Sequence, residues 1–175
     1  SNLINILKEG LLSHKIVHEN KLIKVDISNK DIQARRNRQE NIFDKNIHDY
    51  VPLYINPSNP MMNSAKVKND LNNIALLEII PHILVQEKGT LFSDGNAAFE
   101  KTNFYKDQKK LENINWELLQ KGQWINGSES QRVMCSEVLI PEKIEIFYIQ
   151  KIILKDEKKL PEIMALFPNH KGISI

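Results

Sequence analysis

Ser136-Glu137-Val138-Leu139-Ile140-Pro141 combines a single acidic residue with an apolar run typical of a β-strand. A half-buried carboxylate is unfavourable unless a cation or a set of hydrogen-bond donors compensates its charge. The concentrated positive charge of the chain lies far upstream, in Gln33-Ala34-Arg35-Arg36-Asn37-Arg38. A carboxylate near a guanidinium, in a chain rich in short strands, indicates a site for a cationic or oxocarbenium-like species.

Length and composition limit the class of protein. The chain has 175 residues, of which 41% are hydrophobic and 26% charged, and these values fit one globular domain. The net charge of +2 is too small to indicate nucleic-acid binding by itself. Cys135 is the single cysteine, which excludes an internal disulfide framework and a cysteine-based zinc site. No apolar run reaches the ~18 residues of a membrane span and no signal peptide is recognisable, so we expect a cytoplasmic location.

The order of the elements predicts a mixed α+β domain whose second half is rich in strands. A helix over Asn115–Lys121, capped by Asn115 and ended by Gly122, is the clearest prediction. The run Ile144–Leu154 fits one strand, or two strands with a bend between them. Further short helices are predicted between Asn2 and Gly10, near Asp31–Arg38 and over Lys158–Phe167, and further strands over Tyr50–Asn56, Ile74–Ile80 (buried), Thr90–Phe92 and Val133–Ile140.

The charged candidates each allow two interpretations. Glu137 is either a strand residue that faces solvent or pairs across the sheet, as is common on edge strands, or a functional carboxylate at a junction between loop and strand. Arg35, Arg36 and Arg38 are either a solvated helix face or a phosphate-binding group. Because a guanidinium fork suits a pyrophosphate, a dinucleotide is one candidate ligand.

The aromatic and sulfur-containing candidates are equally open. Tyr50 and Tyr54 share one face of a strand, where they either pack in the core or stack on a nicotinamide or a base. Met61 follows a proline-rich turn and could line an apolar pocket. Trp116 and Trp124 flank the helix over Asn115–Lys121, and the simplest prediction places both in the core.

The sequence lacks the common cofactor and metal motifs, namely a phosphate loop, GxGxxG, HExxH and a CxxC pair. His14 and His18 are four residues apart, a spacing that two metal ligands on a helix can use. They follow a predicted helix end, however, so we expect them to be solvated. No metal site is predicted.

The linear pattern of motifs resembles the DarT family of bacterial DNA ADP-ribosyltransferase toxins. The motifs keep the order of that family and span nearly the whole chain. The similar segments are Asn2–His14, Ile32–Arg38, His48–Tyr54, Pro57–Met61, Phe92–Ala98, Asn115-Trp116 and Ser136–Ile140.

The resemblance implies an ADP-ribosyltransferase-like fold, in which two packed, bent antiparallel sheets with short flanking helices enclose an NAD cleft. Family members begin with a Tyr/Phe-His-Ile-Thr strand before the first helix, and this chain begins after that strand. We therefore expect residues 1–175 to form a single ADP-ribosyltransferase-like domain without the N-terminal strand.

The resemblance also implies roles for individual residues. Glu137 matches the catalytic glutamate of the family, and Arg36 matches the arginine that binds NAD and assists catalysis. The segment His18–Arg38 matches the NAD-binding element, and Phe92–Glu137 contains the region of the substrate-recognition loop. The residues assigned to NAD are Gly10, Leu12, Arg36, Tyr54 and Met61.

The acceptor implied by the resemblance is a base of single-stranded DNA, most often thymidine, and the implied partner is a macrodomain antitoxin. Side chains for stacking and phosphate contact are predicted at Tyr105, Lys106, Lys109 and Lys110. Two other classes stay open at this point. One is NAD hydrolysis or ADP-ribosylation of protein or RNA, and the other is an inactive domain that binds single strands or the antitoxin.

Overall fold

The computed structural model describes residues 2–68, 74–154, 156–166 and 173–174. The helices are α1 (Asn2–Glu9), α2 (His14–Glu19), α3 (Lys30–Arg36), α4 (Pro60–Lys68), α5 (Ile83–Gln86), α6 (Trp116–Lys121), α7 (Glu129–Val133) and α8 (Leu160–Leu166). The strands are β1 (Leu11–Leu12), β2 (Tyr50–Tyr54), β3 (Ala75–Ile79), β4 (Leu91–Ser93), β5 (Phe104–Tyr105), β6 (Glu137–Pro141), β7 (Lys143–Ile144), β8 (Ile149–Leu154) and β9 (Ile173–Ser174). Single 3-10 turns cover Ile47–Asp49, Gln108–Asn113, Ile146–Tyr148 and Glu157–Lys159.

The described strands form a four-stranded sheet in the order β2-β6-β4-β5, a three-stranded sheet in the order β3-β8-β9, and the two-stranded ribbon β1-β7. Their pairings are antiparallel except that β9 runs parallel to β8. That parallel pair differs from the purely antiparallel sheets that we predicted. None of the helices in the described ranges has both the length and the apolar character needed to cross a bilayer.

Strand β6 is the centre of the larger sheet and is covered on both faces. Leu139 packs in a cluster with Tyr50 and Leu91, while Ile140 packs in a second cluster on the opposite face with Val51. A strand covered on both sides has a continuous apolar sequence, which is what the run after Glu137 shows. The alternative that Glu137 faces solvent on an edge strand is therefore wrong.

The predicted strand over Val133–Ile140 begins four residues too early. Val133 ends α7, and turn hydrogen bonds from Cys135 to Arg132 and from Ser136 to Val133 continue until β6 begins at Glu137. An apolar run of this length has the same composition in a buried helical turn as in a strand, so its pattern does not separate the two. The run Ile144–Leu154 forms two strands with a 3-10 bend between them, as one of the two predictions had it.

The other predicted elements are present with adjusted ends. Pro52 lies in β2, which is an edge strand of its sheet, as its missing N–H requires. Strand β3 is half-buried rather than buried. The predicted helix over Lys158–Phe167 begins with a 3-10 turn and continues as α8, and its last residue, Phe167, lies outside the described residues.

The prediction that both tryptophans pack in the core holds only for Trp124. Helix α6 begins after Asn115, whose side chain accepts a hydrogen bond from the Leu118 amide, and ends at Gly122 in the left-handed region. Trp124 packs against a core cluster that includes Leu119. Trp116 is 42% exposed, because it lies on the outer side of the first turn, and the prediction for it is wrong.

Gly10 makes the junction between α1 and the β1-β7 ribbon possible. Its φ is +85°, and a Cβ there would lie 2.5 Å from the carbonyl oxygen of Ile144. Backbone in this conformation and so close to another strand excludes any side chain.

We predict that Gly10→Ala destabilises the protein more than Gly122→Ala does. Gly122 also has a positive φ, of +63°, but nothing lies within 4 Å of its missing Cβ. Gly122→Ala should therefore cost only the left-handed conformation, about 1–2 kcal/mol. Gly10→Ala should cost at least about 1 kcal/mol more because of the clash. Denaturant unfolding of both variants measures the difference, and equal losses would contradict the close approach.

Candidate active site

The site is built on a buried ion pair between the end of α3 and the start of β6. Arg36 Nη1 lies 2.9 Å from each carboxylate oxygen of Glu137, and the two residues are 101 positions apart in the sequence. Arg36 is 5% exposed and Glu137 is fully buried. The structure thus brings together the two residues that the sequence singled out.

The pair leaves one donor of the guanidinium without a partner. Arg36 Nη2 is buried and has no hydrogen-bond partner within the described residues. A buried donor is normally satisfied, so this atom is suited to an oxygen of a ligand. A buried ion pair contributes little net stability, whereas the loss of one partner costs about 3–5 kcal/mol.

A second donor also binds the Glu137 carboxylate. The backbone amide of Ala97 donates to Glu137 Oε1 over 3.1 Å. The amide of Glu137 itself donates to Ser93 Oγ over 3.2 Å, and the Ser93 hydroxyl donates to the carbonyl of Gly95. Both Ala97 and Ser93 were missed as site residues, because the sequence marks Phe92–Ala98 only as one of the segments similar to the DarT family.

The turn between β4 and β5 is held by an acidic residue. Asp94 accepts hydrogen bonds from the backbone and side chain of Asn103 and from Arg132. Burial alone would raise the pKa of Asp94, but these hydrogen bonds lower it below its usual range. Gly95 leaves room for this contact, because a Cβ there would lie 2.2 Å from Arg132 Nη1.

The two tyrosines of β2 have different environments. Tyr54 pairs with Glu137 in the β2-β6 register and is 39% exposed. Burial around its hydroxyl and the charge of Glu137 both raise the pKa of Tyr54 above its usual value. Tyr50 is buried in the core, and its hydroxyl donates to the carboxylate of Glu40 over 3.0 Å. Of the two, only Tyr54 is available to stack on a ligand beside the ion pair.

The remaining residues predicted to bind NAD lie in two separate segments of the fold. Met61 is in the first turn of α4, where its backbone opposes the burial that raises the pKa of the Cys135 thiol, two residues before Glu137. Gly10 directly precedes β1 and Leu12 ends it, and α2 begins two residues later at His14.

Three histidines form a stack next to this region. The His14 ring lies 4.0 Å, between centroids, from both the His18 and the His48 rings, and His48 Nε2 is 3.2 Å from Gln33 Oε1. The prediction that His14 and His18 are solvated holds for His18, which is exposed, whereas His14 is half-buried at the start of α2. The described residues contain no group of His, Cys, Asp or Glu arranged to bind a metal ion.

A cavity of about 340 Å³ opens beside the histidine stack, between α2 and the 3-10 turn Ile47–Asp49. Polar and charged side chains dominate its surface. The residues that line it are Lys15, His18, Glu19, Asn37, Asn46, His48 and Asp49.

The fold and the site together define an ADP-ribosyltransferase-like protein. The structure superposes on that of "Thermosipho africanus DarTG in complex with ADP-ribose" with a TM-score of 0.87 and 22% identity, covering 99% of this chain and 46% of that one. It superposes on "Thermus sp. 2.9 DarT in complex with ADP-ribosylated ssDNA" with a TM-score of 0.84 and 23% identity, covering 99% and 88%. The predicted α+β fold class is thereby confirmed.

The chain belongs to the DarT family, because the family profile described as "ssDNA thymidine ADP-ribosyltransferase, DarT" matches residues 1–175. A "DNA ADP-ribosyl transferase" of Thermus sp. (strain 2.9) is 24% identical over 174 residues, which cover 94% of this chain and 82% of the relative. A "DNA ADP-ribosyl transferase-DNA ADP-ribosyl glycohydrolase fusion protein" of Thermosipho africanus is 23% identical over 159 residues. That match covers 90% of this chain but only 41% of the length of the fusion protein. The resemblance found in the sequence is confirmed.

We predict that the histidine stack makes the folded state sensitive to mild acid. Burial, and then the charges of His48, His18 and Arg36, lower the pKa of His14 from 6.5 to about 4, while Asp26 opposes the shift. Between these pH values the unfolded chain binds more protons than the folded one. The contribution of neutral His14 to the free energy of unfolding is therefore fully present above pH 6.5 and is lost as the pH falls towards 4.

His14→Phe should keep the ring contacts and remove this titration. The free energy of unfolding should then fall less between pH 6.5 and pH 4 than in the wild type. We expect a difference on the order of 1 kcal/mol, below the full linkage value because water screens a half-buried group. His82→Phe, at an exposed histidine before α5, is the control. An unchanged pH slope in His14→Phe would contradict the prediction.

Proposed function

We propose that this chain transfers ADP-ribose from NAD to a base of single-stranded DNA, and that the base is thymidine. The observation on which the proposal rests is the buried Arg36–Glu137 pair at the start of the central strand of a DarT-family chain. The relatives named above are DNA ADP-ribosyl transferases, and one related structure contains ADP-ribosylated single-stranded DNA.

The proposed role of Glu137 follows from the charge that the reaction develops. When the bond between nicotinamide and ribose breaks, nicotinamide leaves with the bonding electrons and positive charge develops on the ribose. A nucleophilic atom of the base then forms the new bond to the ribose carbon that held nicotinamide, and the proton of that atom passes to solvent. A carboxylate that is already fixed by Arg36 and the Ala97 amide stabilises this charge without reorganising.

Arg36 is proposed to act on both the carboxylate and the co-substrate. Its Nη1 orients Glu137, and its buried Nη2 remains available for an oxygen of NAD. Tyr54 presents an exposed ring face beside Glu137, and Met61 lies next to the turn that precedes it. Gly10 and Leu12 complete the proposed NAD pocket through the turn that leads into α2.

The acceptor strand is proposed to lie along the segment after β5. Lys106, Lys109 and Lys110 are exposed there, and the ammonium group of Lys106 lies 5.6 Å from the ring centroid of Phe43. Tyr105 is less suited to stacking on a base, because its ring already stacks on Phe92. Single-stranded DNA suits the site, since a base must leave its stack to reach a buried carboxylate.

The remaining proposals concern the biological setting. We propose that residues 1–175 form one ADP-ribosyltransferase-like domain, and that it acts as a toxin in the cytoplasm, where NAD and DNA are both present. We also propose that its partner is a macrodomain antitoxin that removes ADP-ribose from DNA. The support for this partner is the Thermosipho relative, whose name joins a transferase to a DNA ADP-ribosyl glycohydrolase.

We predict that Glu137→Gln abolishes DNA modification while the fold is retained. The amide keeps the shape of the side chain and an acceptor oxygen, but it removes the charge that stabilises the ribose cation. The rate should fall by at least about 100-fold, the scale of losing one electrostatic contact to a transition state. Mass spectrometry of a thymidine-containing oligonucleotide incubated with protein and NAD measures the product.

Glu117→Gln is the matched control, since Glu117 is an exposed carboxylate that pairs only with Lys121 at i+4 among the ion pairs of the described residues. It should modify DNA at the wild-type rate. Full labelling by Glu137→Gln would refute the role of Glu137. Wild-type consumption of NAD without a DNA product would refute the DNA acceptor.

We predict that replacing Lys106, Lys109 and Lys110 together with alanine weakens use of the DNA rather than of NAD. KM for the oligonucleotide should rise at low salt, and each lost phosphate contact should make its logarithmic salt dependence shallower by about 0.7. KM for NAD should stay unchanged. A matched triple substitution of the exposed residues Lys8, Lys88 and Lys121 is the control, and equal effects of the two triples would place the strand elsewhere.

A further inference from the structure

We propose that Arg38 is a positioning residue for this reaction, which fixes Glu137 through the backbone of the turn between β4 and β5. The inference rests on the proposed function. Arg38 Nη2 donates to the carbonyl of Ala97 over 3.0 Å and to the carbonyl of Phe99 over 3.1 Å. The amide of the same Ala97 donates to the Glu137 carboxylate.

These contacts form a closed ring of hydrogen bonds that includes the carboxylate. Arg36 binds Glu137 directly, and Arg38 is linked to it through Ala97. The two arginines are joined by a 2.8 Å hydrogen bond from the Arg38 amide to the Arg36 carbonyl. One short segment therefore sets both groups that orient the carboxylate.

Arg38 joins the middle of the turn to the arginine segment, in addition to the hydrogen bonds within the turn. Asp94 and Asn103 bond to each other at the two ends, and Thr102 bonds back to the carbonyl of Asn96. The carbonyl of Ala97, by contrast, accepts only from Arg38 among the hydrogen bonds of the described residues. The N–H that donates to Glu137 belongs to the Asn96–Ala97 peptide, whereas Arg38 binds the carbonyl of the next peptide, so Arg38 fixes Ala97 from across its Cα.

The environment of Arg38 is poor for stability and favourable for position. Its Nε is buried and has no partner within the described ranges, which is unfavourable for folding. Its guanidinium lies 5.6 Å from the ring centroid of Phe104, so the plane of the fork is supported by an aromatic surface. A residue selected for stability alone would not leave a buried donor unpaired.

Two variants of similar length separate the donors of Arg38 from its bulk. Arg38→Met keeps an unbranched stem against Phe104 and removes every donor, whereas Arg38→Lys keeps a charge with donors that reach carbonyls. We expect kcat for DNA modification to fall on the order of 100-fold in Arg38→Met, with KM for NAD nearly unchanged. Arg38→Lys should recover most of the rate. Losses that are equal in both variants, or that follow the melting temperature, would overturn the inference.

A measurement on the free protein keeps this test independent of the DNA reaction. Because the Ala97 amide donates to the Glu137 carboxylate, the NMR shift of the Ala97 amide proton should differ between the wild type and Glu137→Gln. Arg38→Met should move the same signal, and Arg38→Lys should restore it.

Arg35→Met is the matched control, since it removes the same charge from the same segment. Arg35 contacts the turn through the ring of Phe99 rather than through a backbone carbonyl. It should leave the Ala97 signal in place. An Ala97 signal that is unchanged in Arg38→Met overturns the positioning role, even if the wild type modifies DNA. A wild-type protein that fails to modify DNA overturns the proposed function, and the Ala97 shift still tests whether Arg38 fixes the turn.

Discussion

The burial of one carboxylate is the constraint on which the rest of the structure depends. Glu137 has no exposed surface, so its charge must be balanced by groups within hydrogen-bonding distance. Arg36 at the end of α3 and the Ala97 amide in the turn after β4 provide that balance. Both groups belong to segments outside the central strand, and their positions therefore follow from the need to solvate one side chain.

The same need explains why the surrounding backbone is so tightly bonded. The segment after α3 bends around Glu40, whose carboxylate accepts from the amides of Ile42, Phe43 and Lys45 and from the Tyr50 hydroxyl. These bonds lead the chain directly from the arginine segment into β2, the strand paired with β6. The ion pair and the sheet are thus connected by a loop with little freedom.

The sequence revealed the parts of this arrangement that depend on local pattern. The run after Glu137, the cap of α6 and the proline of the edge strand were all readable from residue type and spacing. The pairing of Arg36 with Glu137 came from the resemblance and from charge alone, since nothing local connects them. The role of Ala97 depends on its backbone amide, which every residue has, and that of Ser93 depends on a hydroxyl that is common in turns, so residue identity singled out neither.

The distance along the chain between Arg36 and Glu137 has a consequence for protein synthesis. The two residues are 101 positions apart, and the strand that begins at Glu137 is the centre of its sheet. A nascent chain that has passed the arginine but not the glutamate has neither the ion pair nor the middle of that sheet. The buried pair can therefore form only after the chain has been synthesised through strand β6.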